Sequence, residues 1–140
     1  MKSILKIIII SFFGIQILYS QEKDTKITYK GGEAYFIYQD AKTLKIINKV
    51  PFAKVRDIYY DTFYKMYIFL LSTPEGATGF TLKFVRVNKM FPDEQIMIDS
   101  NNNYEWSVKD HLEKLGKLWV IGLKEKDGIL QTIYFENVTK

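Results

Sequence analysis

No cysteine occurs in the 140 residues, proline appears three times, histidine once, and only Arg56 and Arg86 carry guanidinium groups among the 20 basic side chains. The missing thiol excludes disulfide cross-links, thiolate metal ligation, a thiol nucleophile and lipid attachment through cysteine. The fold must then rest on packing, although small exported domains commonly lean on disulfides. His111 alone supplies too few nitrogen donors for a conventional zinc site, and no G-x-S-x-G elbow offers a serine nucleophile. Scarce arginine argues against nucleic-acid recognition, because bidentate forks read guanine edges and grip phosphates.

What the chain does contain is 47% hydrophobic and 26% charged residues, the balance of one packed domain at this length. No internal repeat, low-complexity tract or linker divides it. At the N-terminus, Lys2 and Lys6 precede an apolar run over residues 7–18, broken by Ser11, Gly14 and Gln16, and polar residues follow from Gln21. This is the order of a secretory signal peptide spanning residues 1–20, with cleavage after Ser20. The run is shorter than the ~20 residues of a membrane-spanning helix, so a permanent anchor is the weaker reading. Leu18, larger than the small residue favoured there, is the one departure. The expectation is an exported protein, periplasmic or extracellular, with a mature domain over residues 21–140. It meets a membrane only if the N-terminal segment is retained. Cleavage removes two lysines and no acid, lowering the net charge from +4 to +2.

From Lys26 onward, short segments rich in Ile, Val, Tyr, Phe and Thr recur between turn signals, which predicts a mainly β domain of antiparallel hairpins forming a small barrel or sandwich. Gly31-Gly32 is expected to turn a hairpin between strands at residues 27–29 and 34–38. A longer hairpin joins residues 64–72 to 80–88 through a loop over 73–79. In its return strand Phe80, Leu82 and Phe84 alternate with Thr81 and Lys83, giving one apolar and one wet face. The unbroken apolar run at residues 67–71 predicts cover on both faces. A two-residue Asp127-Gly128 turn predicts Leu123 opposite Thr132 and Ile121 opposite Tyr134. One short helix is expected from Ser107 to Leu115: Ser107 caps it, Asp110 complements its N-terminal dipole, Val108, Leu112 and Leu115 share a stripe, and Gly116 ends it. The stretch between Pro51 and Asp61 fits helix and strand equally.

Three groupings carry candidate chemistry. Asp57 and Asp61, four apart, share a face in either secondary structure and would serve as an acid and base pair, with two solvated surface acids as the competing reading. Asp99, Asn101, Asn103 and Asp110 place oxygen ligands at the first, third, fifth and twelfth positions of a calcium loop. Tyr104 stands where that loop wants Gly, and Asp110 replaces the longer Glu, so the pattern predicts at most a weak calcium site; an Asn-rich loop leading to the Ser107 cap explains the same residues. Finally, Tyr59, Tyr60, Tyr64 and Tyr67 are dense enough to line a cavity or a stacking platform. Together these features suggest a non-enzymatic exported binding domain holding a small apolar or lipid-like ligand in an aromatic-lined cavity. The alternatives are an envelope or cell-surface interaction domain, marked by a free strand edge, and a carbohydrate-binding or carboxylate-dependent carbohydrate-active protein.

Overall fold

The computed structural model describes residues 26–140, so residues 1–20, expected to be a signal peptide, lie outside the described residues. Nine strands follow in chain order: β1 (Lys26–Lys30), β2 (Glu33–Asp40), β3 (Ile46–Asp61), β4 (Met66–Thr73), β5 (Gly76–Val87), β6 (Gln95–Asp99), β7 (Glu105–His111), β8 (Lys117–Gly122) and β9 (Ile129–Glu136). One helical turn, α1 (Leu112–Leu115), joins β7 to β8. Each strand from β2 to β9 pairs antiparallel with the next, and β9 returns to pair with β2, closing an eight-stranded up-and-down barrel with β1 as an extra strand. The open choice between barrel and sandwich is thereby decided, and so is the stretch from Pro51 to Asp61, which is strand.

Gly31-Gly32 does not turn a hairpin. β1 and β2 run in the same direction along one edge of β3, with Tyr29 opposite Ile58 and Ala34 opposite Ala53. The two glycines, at φ +74° and +92°, bend a strand that continues. Gly32 also lies against the chain end: a Cβ there would stand 2.3 Å from the Glu136 carbonyl oxygen.

The β4–β5 connection is tighter than expected, because Gly76, Ala77 and Thr78 extend β5 down to a turn at Pro74 and Glu75. The apolar run in β4 is covered on one face only. Tyr67, Phe69 and Leu71 are buried and point inward, while Leu70 is 39% exposed. The alternation in β5 holds, with Leu82 buried and Phe80 and Phe84 packed against the core.

The helix is much shorter than the span from Ser107 to Leu115. Residues 107–111 belong to β7, where Val108 pairs with Val120 and Gln95, so two flanking strands override the helical spacing. Ser107 caps nothing: its buried hydroxyl donates to Glu94 Oε1 (2.8 Å) and accepts from Asn88 Nδ2 (3.1 Å). Gly116 does end the helix, left-handed at φ 64°, donating to the Leu112 carbonyl.

Asp127-Gly128 forms the two-residue turn, with both φ values positive. The register above it slips by two residues, giving Ile121 opposite Thr132 and Trp119 opposite Tyr134 instead of the expected pairs. An even slip keeps every side chain on its face. Residues 122–125 on one strand face 130 and 131 on the other, and the surplus of two bows out at the barrel end.

Inside the barrel Phe69 stacks between Phe80 (4.4 Å between ring centroids) and Phe135 (5.1 Å), and Phe36 stacks on Phe52 (3.9 Å). Phe69 and Phe135, with Leu82, Met97, Leu118 and Val120, fill the centre of the lumen, and Phe36, Phe52 and Phe80 pack against them part-buried. An eight-stranded barrel is just wide enough for side chains to do so.

Candidate binding cleft

At one end of the barrel the β6–β7 turn faces the bowed tip of the β8–β9 hairpin. The turn is built by its own side chains: Asp99 Oδ1 accepts from the Asn101 amide (2.8 Å), Asn102 Oδ1 accepts from the Tyr104 amide (3.0 Å), and Asn103 takes φ 59°. Between turn and tip lies an open cleft of about 460 Å³. Its apolar lining is Tyr104, Trp106 and Leu123; Asn102, Glu105, Lys124, Glu125, Lys126 and Gln131 supply polar groups.

The indole lies on the β7–β8 ladder beside a glycine. Trp106 lies opposite Gly122 across the β7–β8 ladder, and a Cβ at Gly122 would come within 3.5 Å of Trp106 Cζ3 and 2.6 Å of the Gln131 carbonyl oxygen. Glycine therefore admits the close backbone of β9 at Gln131, while the ring lies at ordinary contact distance beside it. Arg86 donates two hydrogen bonds to the Glu105 carboxylate (3.2 and 3.1 Å), which hold that carboxyl below its usual range. Lys124 stands 5.7 Å from the Tyr104 ring centroid. The cleft thus offers an apolar floor with donors and acceptors of both charges, at a volume suited to a small molecule.

The calcium spacing does not come together. Asp99, Asn101 and Asn103 form the turn, whereas Asp110 lies near the other end of β7, where its carboxylate accepts from the Tyr67 hydroxyl and the Leu112 amide. Extended strand separates ligands that a calcium loop would fold around one ion. Among the described residues no cluster of three or more His, Cys, Asp or Glu side chains is placed to hold a metal.

Only two of the four candidate tyrosines meet. Tyr60 and Tyr67 point inward with centroids 4.5 Å apart, Tyr59 takes the opposite face of β3, and Tyr64 stands in the following turn, edge-on to Phe63. Tyr67 is 2% exposed, so it is a core residue. Burial first, then the Asp110 charge and hydrogen bond, push its phenol far above the usual range. Tyr29 behaves alike, donating to Glu113 Oε1 (3.2 Å). Asp57 and Asp61 share a face of β3, but Asp61 is buried and accepts from the amides of Phe63 (2.9 Å) and Tyr64 (3.0 Å). His111 packs edge-on against Trp119 at 5.5 Å, at the end of β7 away from the cleft.

Trp106, Leu123, Lys124 and Gln131 were not among the candidates. Their one signal was an aromatic pair, Tyr104 and Trp106, directly after the asparagine run. The chain matches no family model, no curated protein and no solved structure.

Proposed function

We propose that this protein is an exported, non-enzymatic binding domain that seats the apolar face of a small ligand against Trp106. The supporting observation is the cleft itself: an indole floor beside Gly122, flanked by Tyr104 and Leu123 and rimmed by polar side chains. With the lumen centre filled by phenylalanine rings, the aromatic site of this reading lies at the barrel mouth. A saccharide is the second reading, favoured by Asn102, Glu125 and Gln131 around an aromatic platform.

Native mass spectrometry of the protein purified gently from its own host tests the proposal. The expected result is a mass beginning at Gln21, with an adduct lost on denaturation. Increments of a sugar unit would select the saccharide. Leu123→Asp, at an exposed position, should weaken retention at least tenfold, roughly 1.4 kcal/mol, without lowering the melting temperature. An apo protein that also ignores an apolar fluorescent probe removes the binding reading, and a mass retaining Met1 removes the cleavage.

A further inference from the structure

Three turns follow one another around the end of the barrel opposite the Trp106 cleft: β3–β4 (residues 62–65), β5–β6 (residues 88–94) and β7–β8, which holds α1. Each puts a large apolar side chain into solvent, with Phe63 57%, Met90 82%, Phe91 53% and Leu115 58% exposed. The display is built into the turns. Asp61 Oδ1 accepts from the Phe63 amide (2.9 Å), Asn88 Oδ1 accepts from the Met90 amide (3.0 Å), and the Glu94 amide donates to the Phe91 carbonyl (2.9 Å). Each turn also sets an exposed lysine beside its apolar group: Lys65, Lys89 and Lys114. Among the described residues none of the three makes an ion pair. The acids of this end are engaged elsewhere: Glu113 with Lys140 (2.8 Å), Asp93 with Lys109 (3.8 Å), Asp110 with the Tyr67 hydroxyl and the Leu112 amide, and buried Glu94 with Ser107. The turns of the opposite end instead bring Glu75, Asn101, Asn102, Glu125 and Asp127. Finally, β1 starts at Lys26 on the lysine-bearing end, so residues 1–25, with the apolar run over 7–18 expected to direct export, join the barrel there.

We propose that this end of the barrel docks on the surface of a bilayer containing anionic lipid. Phe63, Met90, Phe91 and Leu115 enter the headgroup and acyl boundary, while Lys65, Lys89 and Lys114 bend their stems back and hold their ammonium groups against lipid phosphates. Apolar tips alone would suit many partners; the charge selects among them. Lysines that lack a carboxylate of their own are satisfied by a negative surface, and each strengthens binding there about fivefold. Three tips on successive turns of one rim also match an extended surface better than the pocket of a folded partner. Docked in this way, the barrel turns its other mouth, with the Trp106 cleft, away from the membrane.

The absence of cysteine makes the test clean, since Met90→Cys and Leu115→Cys each place a single thiol, and a single environment-sensitive fluorophore, on this end. Leu44→Cys, exposed in the β2–β3 turn, places it on the other. With phosphatidylglycerol vesicles the labels replacing Met90 and Leu115 should shift to the blue and be quenched by brominated acyl chains, while the label replacing Leu44 stays unchanged. Exchanging phosphatidylglycerol for phosphatidylcholine, or combining Lys89→Glu with Lys114→Glu, should raise the lipid concentration needed for half of that shift by about tenfold or more, with an unchanged melting temperature. An N-terminal segment inserted by itself would leave these labels in water, so a retained apolar run does not imitate the result. Labels on this end that stay unshifted, an equal response from the Leu44 position, or an equal response to neutral vesicles overturns the proposal. Shielding of the labels without lipid, accompanied by a doubled mass, overturns it as well and assigns the end to a second copy.

Discussion

The phenols under α1 show how far a single residue's environment reaches into stability. Tyr67 and Tyr29 ionise well above the ordinary phenol range, chiefly through burial, and Tyr134 is pushed up to about 12 by burial and by Glu136. In each case the folded value exceeds the unfolded value of about 10, so the unfolded chain loses its proton first as pH rises. The stabilisation is therefore complete below about pH 10 and is lost as pH climbs through about 12 and beyond. Urea unfolding from about pH 8 upward should show a flat region followed by a steep loss. Tyr67→Phe should cost about 1 kcal/mol at neutral pH by removing the bond to Asp110, and should make the alkaline loss shallower. An alkaline profile identical to that of the unaltered protein would place the sensitivity in other groups.

Among the elements, the bend between β1 and β2 separates two glycines that look alike in sequence. A Cβ at Gly31 meets nothing within 4 Å, so Gly31→Ala should cost only the left-handed backbone penalty, about 1–2 kcal/mol. At Gly32 the same atom would run into the Glu136 carbonyl, where β9 crosses behind the bend. Gly32→Ala should therefore lose more than about 3 kcal/mol or fail to fold, and comparing the two in thermal melts checks the register of the barrel's closing seam. Equal costs would mean that the seam is not where the β2–β9 pairing sets it. The hairpin at Asp127-Gly128 carries a related lesson. Its turn type follows from two residues, but the register above it is set further along the β8–β9 ladder, where Ile121 lies opposite Thr132 and Trp119 opposite Tyr134.

For the whole molecule, closure of β9 on β2 makes every strand of the barrel depend on two neighbours, and the phenylalanine stack ties opposite walls together. Phe69, fully buried between Phe80 and Phe135, should cost about 3–5 kcal/mol as Phe69→Ala. The urea midpoint should fall with little change in slope, because the same surface unfolds in one transition. A second transition would show that the barrel does not unfold as a unit.

Much of the β architecture was legible locally. Period-two alternation in Phe80, Leu82 and Phe84, the Asp127-Gly128 turn and the Gly116 helix end are set within a few residues, and each appears as expected. The candidate site was much less legible. Trp106 and Leu123 are distant in sequence and meet only because β7 and β8 pair beside Gly122, while Asp110 is carried away from Asp99 by the strand between them. Ser107 to His111 reads as helix alone and becomes strand because β6 and β8 bond to both its edges. The sequence by itself determined that this chain is a thiol-free, mainly β domain, since composition and period-two patterning are local properties. Only the tertiary structure decided that the sheet closes, that Gly31-Gly32 bends a strand instead of reversing it, and which side chains meet at the barrel mouth. Those outcomes depend on pairings between distant segments, whose energies exceed any local preference.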